Sequence, residues 1–370
     1  MIFTCQKDLF QESINICSRA ITSKTTMPVL EGFLIETSDI DIKITGYNLE
    51  MGIECNTPAS VEEPGSVIIP CRILSDIIRE MPDGEISFNV SKDNKVTIKN
   101  GSTEFKFSAF AADEYPELPI ISYDKTFNIS SDELKRIIRQ TLFAVSSDDS
   151  RPVLTGSLFE IEKEDLTVVS LDGYRLAIRK GKIQNENGID TSFIVPGKAL
   201  SEISKITEEN KEITFYTSNK HLVVETENIK LYTRLLEGQF FNYKSAVPQN
   251  NEIEIPIKTD EFINSIRRVS PIISEINKSP IRCNFEFDTL KMSCISPLGS
   301  AYNEIKLERN DKQICIGFNN KFLMEALRAC ECEKVILKVN TPVSPAVIIP
   351  EDKNDNSFLY LVLPWRLNND

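Results

Sequence analysis

The sequence predicts an α+β fold in which one domain occurs three times in tandem, each copy holding two helices packed on antiparallel sheets. Three observations carry that expectation. PVLEGFLIE at residues 28–36 returns as PVLTGSLFE at 152–160, 124 residues later, and more weakly as PIRCNFEFD at 280–288. IIPCRILSDII (68–78) aligns with IVPGKALSEIS (194–204) and loosely with IGFNNKFLMEAL (316–327). ITGYNLEMGI (44–53) resembles VSLDGYRLAI (169–178). Self-similarity at a fixed period means copies of one structural unit. The blocks set domains at 1–124, 125–249 and 250–370, which suits a chain of 370 residues.

Each copy reads alike. A short alternating strand (FTC, FNIS, IEIPI) opens it and runs into a helix starting near Lys7, Ser131 or Asp260. Asp or Ser with Glu close behind is an N-terminal helix signature. In the second copy Leu134, Ile137, Ile138 and Leu142 fall at amphipathic spacing, so one face of that helix packs inward. Strands rich in Ile, Val, Phe and Thr follow. A second helix starts from Arg72, Lys198 or Lys321, and more strands close the copy, giving six helices in all. Helices on one face of sheets are an α+β arrangement.

Composition narrows the chemistry. Hydrophobic residues make up 41% and charged residues 26%, without an apolar run long enough to span a bilayer. The N-terminus MIFTCQKDLF has no basic stretch followed by an apolar core, so no secretion signal is expected. Nine cysteines form no CxxC pair; Cys330 and Cys332 lie two apart and the rest are scattered. They read as small buried hydrophobes in a reducing, cytoplasmic setting. His221 is the only histidine and sits in an apparent strand, so triads, Cys–His pairs and His-rich metal sites have one residue to share. Neither GxGxxG nor GxxxxGK[ST] is present, which leaves phosphate-cradling loops unsupported. No enzyme, cofactor or metal is expected.

The net charge of −13 is uneven. Residues 1–125 carry 11 basic and 20 acidic side chains, 126–250 carry 16 and 18, and 251–370 carry 15 and 17. Bulk charge therefore does not drive tight nucleic-acid binding. Basic pairs nonetheless recur on the second helices: Arg72 and Arg79, Lys198 and Lys205, Lys321 and Arg328, each seven apart and so on one face. Arg136, Arg139, Arg267 and Arg268 add to the first helices. Two readings stay open: a phosphate-facing surface, or a solvated face where Asp76, Glu202 and Glu325 pair with the base four residues earlier.

With these blocks in hand the chain resembles the DNA polymerase III beta subunit family, the bacterial sliding clamps. The likeness covers the whole length: the three repeats, DEYPELP (113–119), LDGYRLA (171–177), LLEGQF (235–240) and LVLPWRL (361–367). It implies a head-to-tail homodimer closed into a ring, helices lining the hole and sheets outside. Such a ring encircles double-stranded DNA without reading its sequence. It tethers the replicative polymerase's alpha-type subunit, is opened by a clamp loader, and serves other proteins carrying a clamp-binding motif, at cytoplasmic replication forks on the nucleoid and away from membranes. Twelve helices at about 10 Å each would leave a hole on the order of 28 Å. A ring that holds DNA by topology has no need of tight affinity.

The resemblance also assigns residues. Lys24, Arg72, Arg79, Arg136, Arg139, Lys198, Lys205, Arg267, Arg268, Lys321 and Arg328 would face DNA phosphates. Domain one of each chain would meet domain three of the other, through Phe105 and Phe107 in the edge segment TEFKFSAF and through Ile272 and Ile273; the alternative is that both isoleucines are domain core. A pocket for Leu/Phe-bearing partner peptides would use Arg151, Leu154, Leu171, Gly173, Tyr174, Arg175, Leu176, Phe241, Ser245, Ala246, Val362, Leu363, Pro364, Trp365, Arg366 and Leu367. An apolar set with a few polar groups and a large aromatic anchor suits such recognition. Phe241 stands where many members carry proline, Ser245 where many carry a base, and Trp365 where methionine is common, implying a bulkier, less cationic pocket. Asp148 and Asp149 place acid in a loop that often reaches toward the duplex. The competing reading is a peptide-binding repeat scaffold that does not encircle DNA.

Overall fold

The computed structural model describes residues 1–370 except 24, 121–124, 186–187, 249, 251, 274–278, 309–311, 353 and 368–370. Lys24 therefore lies outside the described residues. Six α-helices occur among those described: α1 (Lys7–Cys17), α2 (Cys71–Glu80), α3 (Ser131–Thr141), α4 (Gly197–Ile206), α5 (Thr259–Val269) and α6 (Asn320–Ala329). Each starts within one residue of its expected position.

How the helices start differs from expectation. At α6 a side chain caps the first turn, Asn319 accepting from the Lys321 and Phe322 amides. For α1, α3 and α5 the opening strand runs straight into the helix, and the first helical amide donates to a distant carbonyl. Lys7 N–H reaches Gly84 O at 2.9 Å, Ser131 N–H reaches Lys211 O at 2.8 Å, and Thr259 N–H reaches Glu333 O at 2.9 Å. An orphan donor is thus satisfied by tertiary backbone pairing instead of by a local side chain.

The chain folds into two compact units, residues 1–132, 184–187 and 198–235 in one and 133–183, 188–197 and 236–370 in the other. The first unit contains a five-stranded sheet, ordered Ser60–Glu63, Ile2–Gln6, Glu85–Val90, Lys95–Asn100, Thr103–Ser108. It also contains an eight-stranded sheet ordered Thr126–Ser130, Glu212–Thr217, His221–Glu225, Ile229–Arg234, Met51–Pro58, Asp41–Tyr47, Gly32–Thr37, Ser66–Pro70. Phe3 stacks on Phe88 at 4.7 Å and Phe10 tilts onto it at 5.0 Å, which seats α1 on the five-stranded sheet.

The second unit has an eight-stranded sheet ordered Thr191–Pro196, Gly156–Glu162, Asp165–Leu171, Arg175–Lys182, Phe358–Val362, Ala346–Pro350, Lys334–Val339, Ile253–Lys258. Its four-stranded sheet runs Gly299–Lys306, Thr289–Ser296, Ile281–Phe285, Ile314–Phe318. Phe262 and Ile266 of α5, Leu323 and Leu327 of α6, and Phe285, Phe318 and Tyr360 share one fully buried core.

Each eight-stranded sheet takes four strands from each of two consecutive repeats. Leu231 pairs with Ile53 at the first seam, and Tyr360 with Ala177 at the second, both antiparallel. Backbone pairing across a repeat boundary is therefore as continuous as within a repeat, and the compact units do not follow the repeats. The glycine of the repeated PVLxG block has a packing reason: a Cβ on Gly32 would meet Ile69 O at 2.9 Å, and one on Gly156 would meet Val195 O at 2.4 Å.

Candidate functional site

The expected pocket lies wholly in the second unit and is built on the seam between Arg175–Lys182 and Phe358–Val362. The Leu171–Leu176 hairpin turns through Gly173 at φ +90°, a conformation that favours glycine. Asp172 closes the turn, accepting from the Tyr174 amide at 2.9 Å and the Arg175 amide at 3.1 Å. The ladder then sets Arg175 against Val362 and Leu176 against Leu361, and Leu363 N–H donates to Tyr174 O at 2.8 Å. Two residues further on, Trp365 N–H donates to Gly317 O at 2.7 Å. The C-terminal segment is thus a strand through Val362 and afterwards a strap that crosses to Gly317.

Leu154, Leu171 and Leu176 join one buried cluster with Leu158, Val169, Ile178, Ile194, Tyr243 and Leu361, and Val153, Leu236, Phe240, Val247 and Leu359 pack against it. Phe241, Ser245 and Ala246 flank this floor through the turn at Tyr243–Ser245, whose Tyr243 belongs to the cluster. Around the buried leucines stand exposed apolar groups: Tyr174 at 63%, Phe241 at 51%, Trp365 at 40% and Leu363 at 37% exposure. Arg151, Gly173, Ser245 and Arg366 are exposed; Ala246, Pro364 and Leu367 are half-buried; Val362 is buried. A buried leucine floor beside exposed aromatics offers apolar side chains of a ligand something to displace water from.

Arg175 behaves unlike a rim cation. It is 8% exposed, bonds Asp172 through Nε at 3.0 Å, and pairs with Glu325 through Nη1. Its guanidinium lies over Phe322 at 4.5 Å and Phe143 at 5.4 Å, and Tyr174 stacks on Phe322 at 5.9 Å. Phe143, Phe322, Asp172, Glu325 and Tyr243 contact the expected set directly and were not placed there by sequence reasoning. Glu325 had a signal, its place four residues after Lys321, but the structure gives it to Arg175. Tyr243 O–H bonds Glu160 Oε2, and burial followed by that carboxylate pushes the phenol far above its usual range.

All ten described members of the basic set are exposed on helices. Their pairing differs from the i,i+4 expectation. Asp76 bonds Arg79 at 2.7 Å and Glu202 bonds Lys205 at 2.7 Å, both at i,i+3. Arg136 lies 3.6 Å from Glu133, and Arg139 pairs with Glu331. Arg268 donates to Asn303 Oδ1 at 3.3 Å. Arg72, Lys198, Arg267, Lys321 and Arg328 make no ion pair among the described residues. The first base of each second helix is thus left to solvent, while the acid four residues on bonds elsewhere. Asp148 is turned back on its own loop, accepting from Ser150 N–H at 2.9 Å and Ser150 Oγ at 2.8 Å; Asp149 is exposed.

Phe105 and Phe107 lie half-buried on one face of Thr103–Ser108, the last strand of its sheet. Glu104 bridges Lys99 and Lys106 at 3.1 and 3.2 Å, a charged rail on the other face. Ile272 and Ile273 are both half-buried, and Ile273 packs against the core of the third repeat. In the same repeat Ile295, Leu298 and Tyr302 are 78%, 69% and 60% exposed, apolar groups the sequence did not single out. His221 stands in its strand with its pKa lowered by partial burial and then by Arg234 and Lys220. Among the described residues no cluster of three metal-ligating side chains occurs, and no helix is long and apolar enough to cross a membrane.

Comparison with known proteins covers nearly the whole chain. Residues 1–119, 128–242 and 244–366 match the models of the N-terminal, central and C-terminal domains of the DNA polymerase III beta subunit. The beta sliding clamp of Bacillus subtilis (strain 168) is 31% identical over 378 residues, spanning 99% of this chain and 100% of the relative. That of Staphylococcus epidermidis is 33% identical over 379 residues, with 99% of each covered. Among solved structures, the Bacillus subtilis DNA polymerase sliding clamp superimposes with a TM-score of 0.96 at 30% identity over all of both chains. The beta subunit from Streptococcus pyogenes does so with 0.94 at 26%, covering 99% of this chain and 100% of its own. With three domain models in order and relatives above 30% identity end to end, the chain belongs to the DNA polymerase III beta subunit family, the beta sliding clamps.

Proposed function

We propose that this chain is a non-catalytic processivity factor: two copies close head to tail around duplex DNA, slide along it, and tether the replicative polymerase through the pocket at Leu176 and Trp365. The working divisions are the repeats, 1–124, 125–249 and 250–370. The observation that carries the ring is the seam rule. Ile229–Arg234 pairs antiparallel with Met51–Pro58, and Phe358–Val362 with Arg175–Lys182. The strands at the equivalent positions of the first and third repeats are Thr103–Ser108 and Gly299–Lys306, each paired on one side only among the described residues. Applying the same rule once more joins Thr103–Ser108 of one copy to Gly299–Lys306 of the next. Strand equivalence sets Phe105 opposite Ala301, as Tyr360 sits opposite Ala177 within the chain. A heterologous arrangement of this kind either closes or propagates as a filament; the family favours closure.

In that ring the exposed bases of the helices meet phosphates weakly, and Ile272, Ile295 and Leu298 of one copy are covered by the other. The pocket takes a short peptide with Leu and Phe from the polymerase, the loader and other clamp-binding proteins. A Pseudomonas aeruginosa relative is described as bound to griselimycin, which supports a ligand-accepting clamp surface in the family. The protein would act in the cytoplasm, on the nucleoid. The test is retention on DNA: nicked circular plasmid should keep the loaded protein through a sizing column, and linearising the plasmid should release it. Equal retention on both forms would leave the peptide-binding scaffold that never surrounds DNA.

A further inference from the structure

The thiols of the one short-range cysteine motif of the sequence take no part in the pocket, the basic face or the proposed interface. Cys330 ends α6 and Cys332 follows two positions later, with Glu331 between them at φ +50°, a left-handed turn that folds Cys332 back toward Cys330. With a single residue between them, the two thiols stand side by side at the end of α6, close enough to influence each other electrostatically. Cys330 is buried, its Sγ 3.3 Å from Ala326 O, whereas Cys332 is half-buried and packs against the same core, its Sγ 3.2 Å from Lys334 O. The buried Thr259 hydroxyl lies near Cys332 and makes no hydrogen bond among the described residues.

We propose that Cys330–Glu331–Cys332 is an oxidisable dithiol: hydrogen peroxide oxidises Cys332 to a sulfenic acid, and Cys330 then closes a Cys330–Cys332 disulfide. In the first step the Cys332 thiolate attacks one peroxide oxygen, the O–O bond breaks, and hydroxide leaves and takes up a proton as water. In the second the Cys330 sulfur attacks the Cys332 sulfur, the S–S bond forms, the S–O bond breaks, and the Cys330 proton leaves with that hydroxide as water. Two electrons pass from the dithiol to the peroxide.

The two sulfurs are suited to different parts. The neighbouring Cys330 thiol, with help from Thr259, pulls Cys332 below the usual thiol range, although its partial burial and the nearby Asp355 and Glu351 oppose this. Burial, and then Cys332 itself, push Cys330 well above that range, as befits a resolving thiol that stays protonated until a sulfenic acid forms beside it. The half-buried thiols elsewhere, Cys71 and Cys315, are both raised by burial. Glu331 also carries the ion pair to Arg139, so the dithiol sits directly behind the basic helix face.

The test uses the full chain treated with a few equivalents of hydrogen peroxide, alkylated under denaturing conditions without reductant, and mapped by mass spectrometry. The peptide holding both cysteines should lose two hydrogens, resist alkylation, and recover both thiols after dithiothreitol. Cys332→Ser should leave Cys330 fully alkylated, and Cys330→Ser should stop at a sulfenic acid that dimedone traps on Cys332. Full alkylation of both thiols in peroxide-treated wild type, or oxidation of Cys71 or Cys315 ahead of Cys332, overturns the proposal.

Discussion

Phe105→Ala tests the ring at the point where the seam rule is most specific. In the single chain Phe105 is half-buried on an edge strand, so part of its ring is still available to a second copy. A phenylalanine buries on the order of 200 Å² when fully covered. Covering the remaining half removes about 100 Å² from water, or about 2.5 kcal/mol at 25 cal/mol per Å². A closed dimer has two such interfaces, so truncation should cost about 5 kcal/mol, between three and four powers of ten in the dimer dissociation constant. Sedimentation velocity across a dilution series reads this directly. Phe287→Ala, at a hairpin tip that is 55% exposed, is the control and should leave the midpoint where wild type has it. A Phe105→Ala midpoint within tenfold of wild type would refute the seam assignment.

Ile272→Ala and Ile273→Ala should part company: Ile272 should weaken dimerisation without changing the monomer's melting, whereas Ile273 packs on the third repeat's core and should lower both. Neutralising Arg72, Lys198, Lys321 and Arg328 together should flatten the salt dependence of loading by about 0.9 in log–log slope for each phosphate no longer neutralised; an unchanged slope would return these bases to a solvated face. Adding a polymerase-derived Leu/Phe peptide should change Trp365 emission, and deletion of residues 363–367 should abolish binding while leaving the dimer, as seen by fluorescence titration and sizing. His221, the sole histidine, has an ordinary value of 6.5 and is lowered in the fold, so the unfolded chain binds more protons. Its contribution is present above that value and is lost as pH falls below it; denaturant midpoints between pH 7 and pH 5 should fall less in His221→Asn.

What the sequence alone determined is what repeats or what is local. Three duplicated blocks located the copies, and their register with the N-terminal helix signatures placed six helix starts to within a residue, because both signals lie in neighbouring positions of one chain. Leu154, Leu171 and Leu176 were legible as buried positions for the same reason, since they sit in apolar stretches of these blocks, whereas their place in a peptide pocket came from the family resemblance. Partner choice was not legible. Glu325 stands four residues from Lys321, yet it bonds Arg175, whose desolvated guanidinium between two phenylalanines has more to gain from a carboxylate than an exposed lysine has. The amides of Lys7, Ser131 and Thr259 find carbonyls of Gly84, Lys211 and Glu333 because an unpaired donor takes the nearest acceptor in space, whatever its distance in sequence. The two eight-stranded sheets are the largest case. Any strand with an open edge satisfies the backbone of any other, so only the tertiary arrangement decides that Leu231 meets Ile53 and Tyr360 meets Ala177, and that Thr103–Ser108 and Gly299–Lys306 keep an edge free among the described residues.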